Sequence, residues 1–324
     1  MASQACRICG GAAAHCVVAR EMMFGTRERF DYVECADCGC LQIAAIPADL
    51  ARFYPSAYHG RVADLDHGGP VKRWARRVVA GPILAVAPGL ARLHPALAHY
   101  ARFLAPYRRL GIGPRDRILD VGAGGGQHVA ALRAFGFAGA RGVDRFIAAD
   151  VRDRRGELLV RRGDVADADA DAGFALIELN HSLEHMPDQA DTLARCRALL
   201  APGGMIRVRV PTVSSEAWAR YGADWVQLDA PRHLYLHSHR SLAVAAAKAG
   251  LAVASLACDS TAFQFWGSEQ YRRDVALDAP TSYAVDPAAS IFTPADIARF
   301  EAEALQLNAA QRGDQIDVVL RVTA

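Results

Sequence analysis

The chain has 324 residues, of which 52% are hydrophobic and 22% charged, and its formal net charge is +2 at pH 7. This composition indicates one large or two smaller globular domains and excludes a mostly disordered chain. The small charge excess gives no argument for binding nucleic acid or a membrane. Since we find neither a secretory leader nor an apolar run of about 18 residues, we expect a cytoplasmic protein.

Residues 1–60 predict a metal-binding module. The stretches "CRICG" and "CADCG" each contain a C-x-x-C pair, which together supply Cys6, Cys9, Cys35 and Cys38. Four thiolates suit tetrahedral zinc, and in a reducing compartment such pairs hold metal more often than they form disulfides. Gly10 and Gly39 follow the pairs and let backbone N–H groups turn toward sulfur. Four protein ligands leave no open position, so we expect a structural site, in which iron is compatible with the same ligands.

Residues 61–115 predict a basic, helical linker or cap. Prolines 82, 88, 95 and 106 indicate several short helices rather than one. Trp74 lies among Lys72, Arg73, Arg76 and Arg77, but the prolines prevent a long amphipathic helix, so a solvated basic face is favoured. Peripheral contact with an anionic membrane or with a phosphate-bearing substrate is the alternative hypothesis.

From residue 116 onward, the sequence alternates between strand and helix patterns. The predicted strands are "RILDVG", "GARGVD", "ELLVRRGD", "FALIELN" and "GGMIRVRVP", with helical runs such as "HVAALRAFG" and "QADTLARCRALLA" between them. This alternation predicts an α/β fold with a mostly parallel sheet and helices on both faces. Ligands bind such sheets at the carboxyl ends of the strands.

A glycine-rich loop follows the first of these strands, with Gly122, Gly124 and Gly126. Glycine tolerates positive φ and lets a ligand lie against the backbone. The dinucleotide fingerprint is incomplete because Gln127 stands where its third glycine is required. Asp120 opposes a diphosphate and suits a cationic ligand, so S-adenosylmethionine fits better. Asp144 ends the second strand, where an acidic residue can bond ribose hydroxyls.

Five stretches resemble, in their order, the motifs of class I S-adenosylmethionine-dependent methyltransferases: "LDVGAGGG", "GVD", "NHSLEHMPD", "LLAPGGMIRVRVP" and "LDAPRHLYLHSHRSL". The chain is similar to bacterial members that carry an N-terminal four-cysteine zinc module and act on sugars or surface glycans. The resemblance implies a seven-stranded Rossmann-like sheet over residues 116–324, whose last strand, "GDQIDVVLRVT", is antiparallel. It also implies an adenine contact from Asp164, for which a turn residue is an equally good interpretation.

The stretch "HSLEH" at residues 181–185 matches the inverted zinc-protease motif H-x-x-E-H. That motif requires a helix, whereas here a strand precedes directly and Pro187 follows, which leaves room only for a short turn. In the family context the stretch lies at the rim of the cofactor pocket. We therefore expect Asn180, His181, Glu184 and His185 to face ligand or substrate.

His233 and His185 are the candidate catalytic bases, because histidine titrates near neutral pH. His233 lies in a predicted substrate-binding insertion of about residues 212–245, where related sugar C-methyltransferases carry a Glu-His pair. Arg232 replaces that glutamate, which suggests an anionic substrate group. Tyr221 and Trp225 are candidates for an apolar wall against a sugar ring, or for core aromatics.

The favoured function is therefore methyl transfer to a small-molecule or glycan acceptor, in surface polysaccharide or secondary-metabolite synthesis. An RNA methyltransferase whose zinc module binds RNA is one alternative, although "NHSL" replaces the Asn/Asp-Pro-Pro-aromatic tetrad typical of base-amine methylation. A non-catalytic cofactor-binding protein is another. The sequence determines neither the acceptor atom nor the oligomeric state.

Overall fold

A computed structural model describes residues 5–54, 95–168 and 173–323. The chain divides into two compact units. The first comprises Met1–Tyr54, His181–Ala194 and Arg207–Ala324, and the second comprises Pro55–Asn180 and Arg195–Ile206. The basic cluster around Trp74 lies outside the described residues, so its contact with membrane or substrate stays a prediction. The domain boundaries expected near residues 60 and 115 likewise stay predictions.

The second unit is built on parallel strands that match the predicted alternation. They are β4 (Ile118–Val121), β5 (Ala140–Asp144), β7 (Leu158–Arg162) and β8 (Phe174–Asn180). Strand β4 pairs in parallel with both β5 and β8, and β5 pairs in parallel with β7. A two-residue strand, β6 (Val151–Arg152), pairs antiparallel with β7. All four residues of β4 are buried, as is typical of a strand covered on both faces.

Two helices of this unit flank the glycine loop in sequence: α1 (Pro95–Arg109) and α2 (Gln127–Ala134). The predicted helix break at Pro106 is wrong, because α1 continues through it. Pro106 lies in the last turn of α1, and because proline has no backbone N–H, the helix loses one backbone hydrogen bond there. Leu104 and Tyr107 on either side are each 1% exposed, so their burial stabilises the helical path.

The first unit contains a four-stranded antiparallel sheet with the order β1-β2-β3-β10. Its strands are β1 (Ala13–Arg20), β2 (Arg29–Cys35), β3 (Leu41–Ile43) and β10 (Tyr235–Leu236). The cysteine-bearing segment therefore shares its sheet with a strand from the predicted substrate-binding insertion. The helices of this unit are α4 (Glu216–Tyr221), α5 (His239–Lys248), α6 (Phe263–Arg272) and α7 (Pro294–Ala309).

The larger sheet has the strand order β11-β12-β9-β8-β4-β5-β7-β6. Strand β9 (Leu200–Pro211) and helix α3 (Gln189–Ala198) belong partly to each unit, while β11 (Leu251–Cys258) and β12 (Gln315–Val322) belong to the first. Without the short edge strand β6, seven strands remain. The last of them, β12, is antiparallel to β11. The predicted Rossmann-like fold is therefore confirmed, with one additional strand.

This strand order places a topological switch point between β4 and β8, the neighbouring strands from which the chain winds in opposite directions. Open α/β sheets bind ligands outside the carboxyl ends of the strands at such a point. Asp120 lies near the carboxyl end of β4 and Asn180 ends β8. No helix among the described residues is sufficiently long and apolar to cross a bilayer.

Candidate active site

The glycine loop leaves β4 in a conformation that only glycine adopts easily. Gly122, Gly124 and Gly126 have φ values of +81°, +52° and +78°, a region in which a side chain is strained. The Gly122 amide donates to the Val143 carbonyl at 2.9 Å, which fixes the start of the loop on β5. A Cβ on Gly126 would lie 2.8 Å from Val160, so this glycine also lets α2 approach β7 closely.

Asp120 carries a buried carboxylate at the start of this loop. The side chain is 3% exposed, and its Oδ1 has no hydrogen-bond partner among the described residues. Burial raises the pKa of Asp120 to about 7; nearby His128 opposes the shift, whereas Glu178 and Asp144 add to it. An unpartnered buried oxygen of this kind favours a ligand that brings a positively charged donor.

Asp144 fixes the glycine loop from the neighbouring strand. Its Oδ2 accepts a hydrogen bond from the Gly124 amide at 2.8 Å, and its Oδ1 accepts one from the Phe146 amide at 2.7 Å. A carboxylate oxygen has two acceptor sites, so both oxygens keep capacity for a ligand hydroxyl. The sequence predicted the position of Asp144 at the end of the second strand but not its bond to the loop.

Asp164 is exposed and caps the short 3₁₀ helix Val165–Asp167, where its side chain accepts a hydrogen bond from the Ala166 amide at 2.8 Å. Of the two roles left open by the sequence, the turn role is the one seen. The adenine contact stays a prediction.

The sequence analysis missed a hydrogen-bonded group next to the loop. Tyr107 of α1 donates to Glu178 Oε2 at 2.9 Å, and His128 of α2 lies 2.8 Å from the Tyr107 hydroxyl and 3.2 Å from the same carboxylate. Glu178 is 1% exposed and pairs with Asp120 across the β4–β8 ladder. The only signal available was an acidic residue inside the apolar strand "FALIELN", which periodicity alone does not pair with any partner.

A second group of polar side chains lies in the first unit. Glu184 is fully buried, and in the described parts of the chain neither of its carboxylate oxygens has a hydrogen-bond partner. His233 Nε2 lies 3.9 Å and His181 Nδ1 3.5 Å from Glu184 Oε1. Glu184, His185 and His233 each offer one ligand atom within 4.8 Å of the others. We call these three residues the Glu184–His185–His233 cluster.

Both histidines of the cluster are oriented by backbone carbonyl groups. His233 Nδ1 lies 2.8 Å from the Gln227 oxygen, and His185 Nδ1 lies 2.9 Å from the Arg232 oxygen. Because a carbonyl oxygen only accepts, each Nδ1 carries the hydrogen, and each Nε2 of a neutral ring holds a lone pair. Burial, reinforced by His185, lowers the pKa of His233 to about 4, so this ring is neutral at pH 7.

The "HSLEH" stretch forms only the short turn expected from Pro187. Leu183–His185 is a single 3₁₀ turn, and His181 is 38% exposed with φ at +50°. The stretch therefore lacks the helix of a protease motif. His181 stays outside the set of three mutually close ligand atoms, whose third member is His233 from a distant part of the chain.

The acidic partner of His233 is supplied from a different position than the family pattern suggests. Arg232 stands where related sequences have glutamate, but Glu184 and Asp229 lie 3.9 Å and 3.8 Å from His233 Nε2. Two carboxylates from other positions therefore lie near His233, although neither is within hydrogen-bond distance of Nε2.

Arg232 does not face an anionic substrate, which corrects the sequence-based expectation. Its side chain is fully buried, and its guanidinium bonds Asp229 Oδ1 at 2.5 Å and Glu21 Oε1 at 3.0 Å. It also donates to the Phe53 carbonyl at 3.3 Å. The Arg232 guanidinium is thus paired with two buried carboxylates of the chain and does not bind a substrate anion.

Tyr221 and Trp225 are core residues rather than an exposed wall for a sugar ring. Trp225 is fully buried and donates its indole N–H to Asp314 Oδ2 at 3.0 Å. Tyr221 is 5% exposed, and its hydroxyl donates to Glu269 Oε1 at 3.1 Å. Their polar atoms are satisfied internally, as expected for aromatic residues that pack in a core.

The four predicted cysteine ligands converge. One sulfur from each of Cys6, Cys9, Cys35 and Cys38 lies within 4.8 Å of the others. The Cys6–Cys38 and Cys9–Cys35 sulfur separations are 3.7 Å and 3.4 Å. Ligands about 2.3 Å from a tetrahedral ion are about 3.8 Å apart, so the arrangement fits zinc. Amide groups of Gly11 and Cys38 point at Cys9 and Cys35 sulfur, at 3.3 Å and 3.5 Å.

Comparison with known proteins identifies the family. The family described as "Methyltransferase domain" matches residues 90–256, just over half of the chain. This chain belongs to that methyltransferase family. It is accordingly a methyltransferase, and S-adenosylmethionine is the donor that the family implies. A search of curated proteins gives no match.

Solved structures show partial similarity. A chain from the complex of the Trm112 methyltransferase activator with a methyltransferase of Haloferax volcanii has a TM-score of 0.42 and 19% identity, covering 76% of this chain and 98% of that one. A SAM-dependent methyltransferase from Archaeoglobus fulgidus has a TM-score of 0.40 and 16% sequence identity, and the match covers 67% of this chain and 90% of that one. The Burkholderia thailandensis 1,6-didemethyltoxoflavin-N1-methyltransferase has a TM-score of 0.37 and 21% sequence identity, and the match covers 70% of this chain and 87% of that one. The fold assignment rests on the strand order, not on these similarities.

The buried position of Arg232 predicts a structural role. Arg232→Met leaves Glu21 and Asp229 as uncompensated buried charges, so the free energy of unfolding should fall by about 3–5 kcal/mol. Urea denaturation measures the change. The matched control is Arg240→Met at an exposed arginine of α5, which should alter stability by less than about 0.5 kcal/mol. A fully stable Arg232→Met protein would contradict this role.

Proposed function

We propose that this methyltransferase acts on a small-molecule or glycan acceptor, specifically a sugar carried on a nucleotide or a lipid. The observation that carries the proposal is the glycine loop at the switch point, with the unpartnered oxygen of buried Asp120 beside it. Such a site suits a ligand with an ammonium group and no phosphate. The sugar acceptor is supported by the resemblance of the ordered motifs and the cysteine module to sugar methyltransferases.

In this proposal the cofactor is bound by the second unit. Asp120 receives the ammonium group, Asp144 the ribose hydroxyls, and the loop backbone the rest of the amino-acid portion. Asn180 and Asp164 complete the set of proposed contacts, and Gly122, Gly124 and Gly126 provide the space. The position of these residues near the carboxyl ends of β4, β5, β7 and β8 supports the proposed contacts.

The acceptor is activated, in this proposal, by the Glu184–His185–His233 cluster. Its loop begins at His181, directly after Asn180 in the chain. Methyl transfer is an in-line displacement at the sulfonium methyl carbon, and correct positioning contributes about 7–11 kcal/mol. Where the acceptor is a hydroxyl, its proton must also leave. A bare imidazole nitrogen, as on His185 and His233, can take that proton or hold a cation that makes the hydroxyl more acidic.

The acceptor class is tested by a consumption assay with the purified full chain. We expect S-adenosylhomocysteine to form from S-adenosylmethionine in the presence of a nucleotide-linked or lipid-linked sugar, and not in the presence of RNA. Product formed only with RNA would contradict the sugar proposal. A chain that binds neither S-adenosylmethionine nor S-adenosylhomocysteine would contradict the cofactor site itself.

The raised pKa of Asp120 predicts that cofactor binding depends on pH. Below pH 7 this carboxyl is mostly protonated in the free protein, and the ammonium group of the ligand must displace the proton. The affinity for S-adenosylhomocysteine should therefore rise with pH through 7, by up to about tenfold per unit on the acid side. Calorimetric titrations at pH 6 and pH 8 measure the difference.

Asp120→Asn should weaken this binding and remove the pH dependence. The matched control is Asp150→Asn, an exposed carboxylate that accepts from the Arg162 amide. It should retain the wild-type pH profile. A pH profile that persists in Asp120→Asn would assign the titration to another group.

We also propose that Cys6, Cys9, Cys35 and Cys38 hold one structural zinc ion. The sulfur separations and the amide groups directed at two sulfurs support this assignment, as described above. A site with four protein ligands has no position for substrate. Its effect is to fix the segment that precedes β1 to the turn that follows β2.

Elemental analysis should find one ion in this site, lost when Cys35 and Cys38 are both replaced by serine. The melting temperature should fall with the metal, because metal binding to the folded state contributes directly to stability. Cys16→Ser at an exposed cysteine outside the site is the control and should retain the ion. If the analysis finds iron, the four-cysteine site stands but its metal is not zinc. If it finds no metal, the proposed metal site is contradicted.

A further inference from the structure

The Glu184 carboxylate of the first unit is fully buried, and neither of its oxygens has a hydrogen-bond donor among the described residues. An ionised carboxylate removed from water is costly unless a positive charge or several donors compensate it. The Arg232 guanidinium is bound to Asp229 and Glu21. His181 Nδ1 lies 3.5 Å from Glu184 Oε1, and the His181 side chain is 38% exposed.

His233 faces this carboxylate with its acceptor nitrogen, Nε2, and His185 offers a ring nitrogen within 4.8 Å of both groups. Nδ1 of each ring donates to a backbone carbonyl group, which leaves Nε2 without hydrogen when the ring is neutral. Metal-binding histidines show the same arrangement, since the carbonyl group fixes the tautomer and the orientation of the ring. A lone pair on His233 Nε2 that faces a carboxylate repels it, and a cation bound between the two groups removes that repulsion.

The distances fit an ion of that kind. His233 Nε2 and Glu184 Oε1 are 3.9 Å apart, which is beyond hydrogen-bond range but less than twice a metal–ligand bond of about 2.1 Å, so one ion can reach both atoms. His185 completes a set of three atoms within 4.8 Å of one another. Asp229 lies near His233 as well, but its carboxylate is already paired with Arg232.

We infer that Glu184, His185 and His233 bind a divalent transition-metal cation, separate from the four-cysteine site. Two imidazoles and one carboxylate suit zinc, iron, cobalt or nickel better than magnesium or calcium. Three protein ligands leave positions open for exogenous oxygen ligands, as in catalytic rather than structural sites. Neighbouring hydroxyls of a sugar are such ligands.

This assignment deepens the proposed function and rests on it for its chemical role. A sugar hydroxyl held at an open position of such an ion would become more acidic and would release its proton to solvent. Its oxygen would then attack the sulfonium methyl carbon of the donor: an O–C bond would form, the C–S bond would break, and both electrons of that bond would remain on sulfur. The products are the methyl ether and S-adenosylhomocysteine. His185 and His233 act here as ligands.

The binding test is made on the full chain and does not require an acceptor. Elemental analysis of the chain should give more than the single ion of the four-cysteine site after dialysis against a divalent metal. In a Co²⁺ titration of the zinc-loaded chain, one further ion should bind with absorption bands of nitrogen and oxygen ligation and without thiolate-to-cobalt charge transfer. Co²⁺ should also raise the melting temperature, since it binds the folded state.

Glu184→Gln and His233→Gln keep the shape of the side chains but remove a ligand, and each should weaken Co²⁺ binding more than about tenfold. The matched control, His239→Gln, changes a half-buried histidine outside the cluster and should bind Co²⁺ like wild type. Circular dichroism confirms that each variant is folded. Absence of a further ion in the wild type, or undiminished binding in both cluster variants, would overturn the metal site.

The same samples separate this result from the proposed function. If the wild type binds S-adenosylhomocysteine but takes up no further Co²⁺, only the metal site fails. If it takes up Co²⁺ but does not bind S-adenosylhomocysteine, the cofactor site fails and the metal site stands without its proposed role.

Discussion

The need to compensate buried carboxylates governs this structure. A carboxylate taken out of water must be paired, protonated or bound to a cation. Arg207 pairs with Asp317 at 2.8 Å, and Arg232 serves two acidic groups at once. In both cases the arginine charge is neutralised by carboxylates of the same chain. Asp120 follows the second route, with a pKa near 7, and so remains able to accept a cationic ligand. Glu184 has no such partner among the described residues beyond His181 Nδ1, which lies 3.5 Å from Oε1, and the proposed metal follows from this.

The sequence predicted those features that are determined locally. Strands of the parallel sheet are apolar runs because both of their faces are covered, and the helical runs between them indicate the order of winding. Gly122 and Gly124 had to be glycine for a sharp turn after β4, and φ confirms this at both. The spacing of the cysteines likewise predicted their convergence, since two short turns bring each pair together. Each of these inferences needs only a few neighbouring residues.

The remaining errors arose where partners are distant in sequence. Arg232 looked available because its neighbours in the chain do not show that Glu21, 211 residues earlier, reaches its guanidinium. Trp225 looked like a possible sugar platform, but Asp314 satisfies its indole from 89 residues away. Glu184 lies 3.9 Å from His233 Nε2 although the two residues are far apart in sequence. Motif comparison aligns positions, whereas the chemistry of a site depends on which side chains meet after folding.

The cysteine-bearing segment and the cluster are mechanically connected within the first unit. Strand β10 completes the sheet begun by β1, β2 and β3, and it follows His233 by only one residue. Tyr32 of β2, fully buried, donates to the His233 carbonyl at 2.8 Å. The Tyr54 hydroxyl lies 3.1 Å from His185 Nδ1. Residues of the cysteine-bearing segment therefore contact both histidines. A metal bound by the four cysteines, as proposed, would steady this segment, and through the Tyr32 hydroxyl it would hold the backbone of His233 in place. In that proposal the four-cysteine site supports the cluster without contacting a substrate.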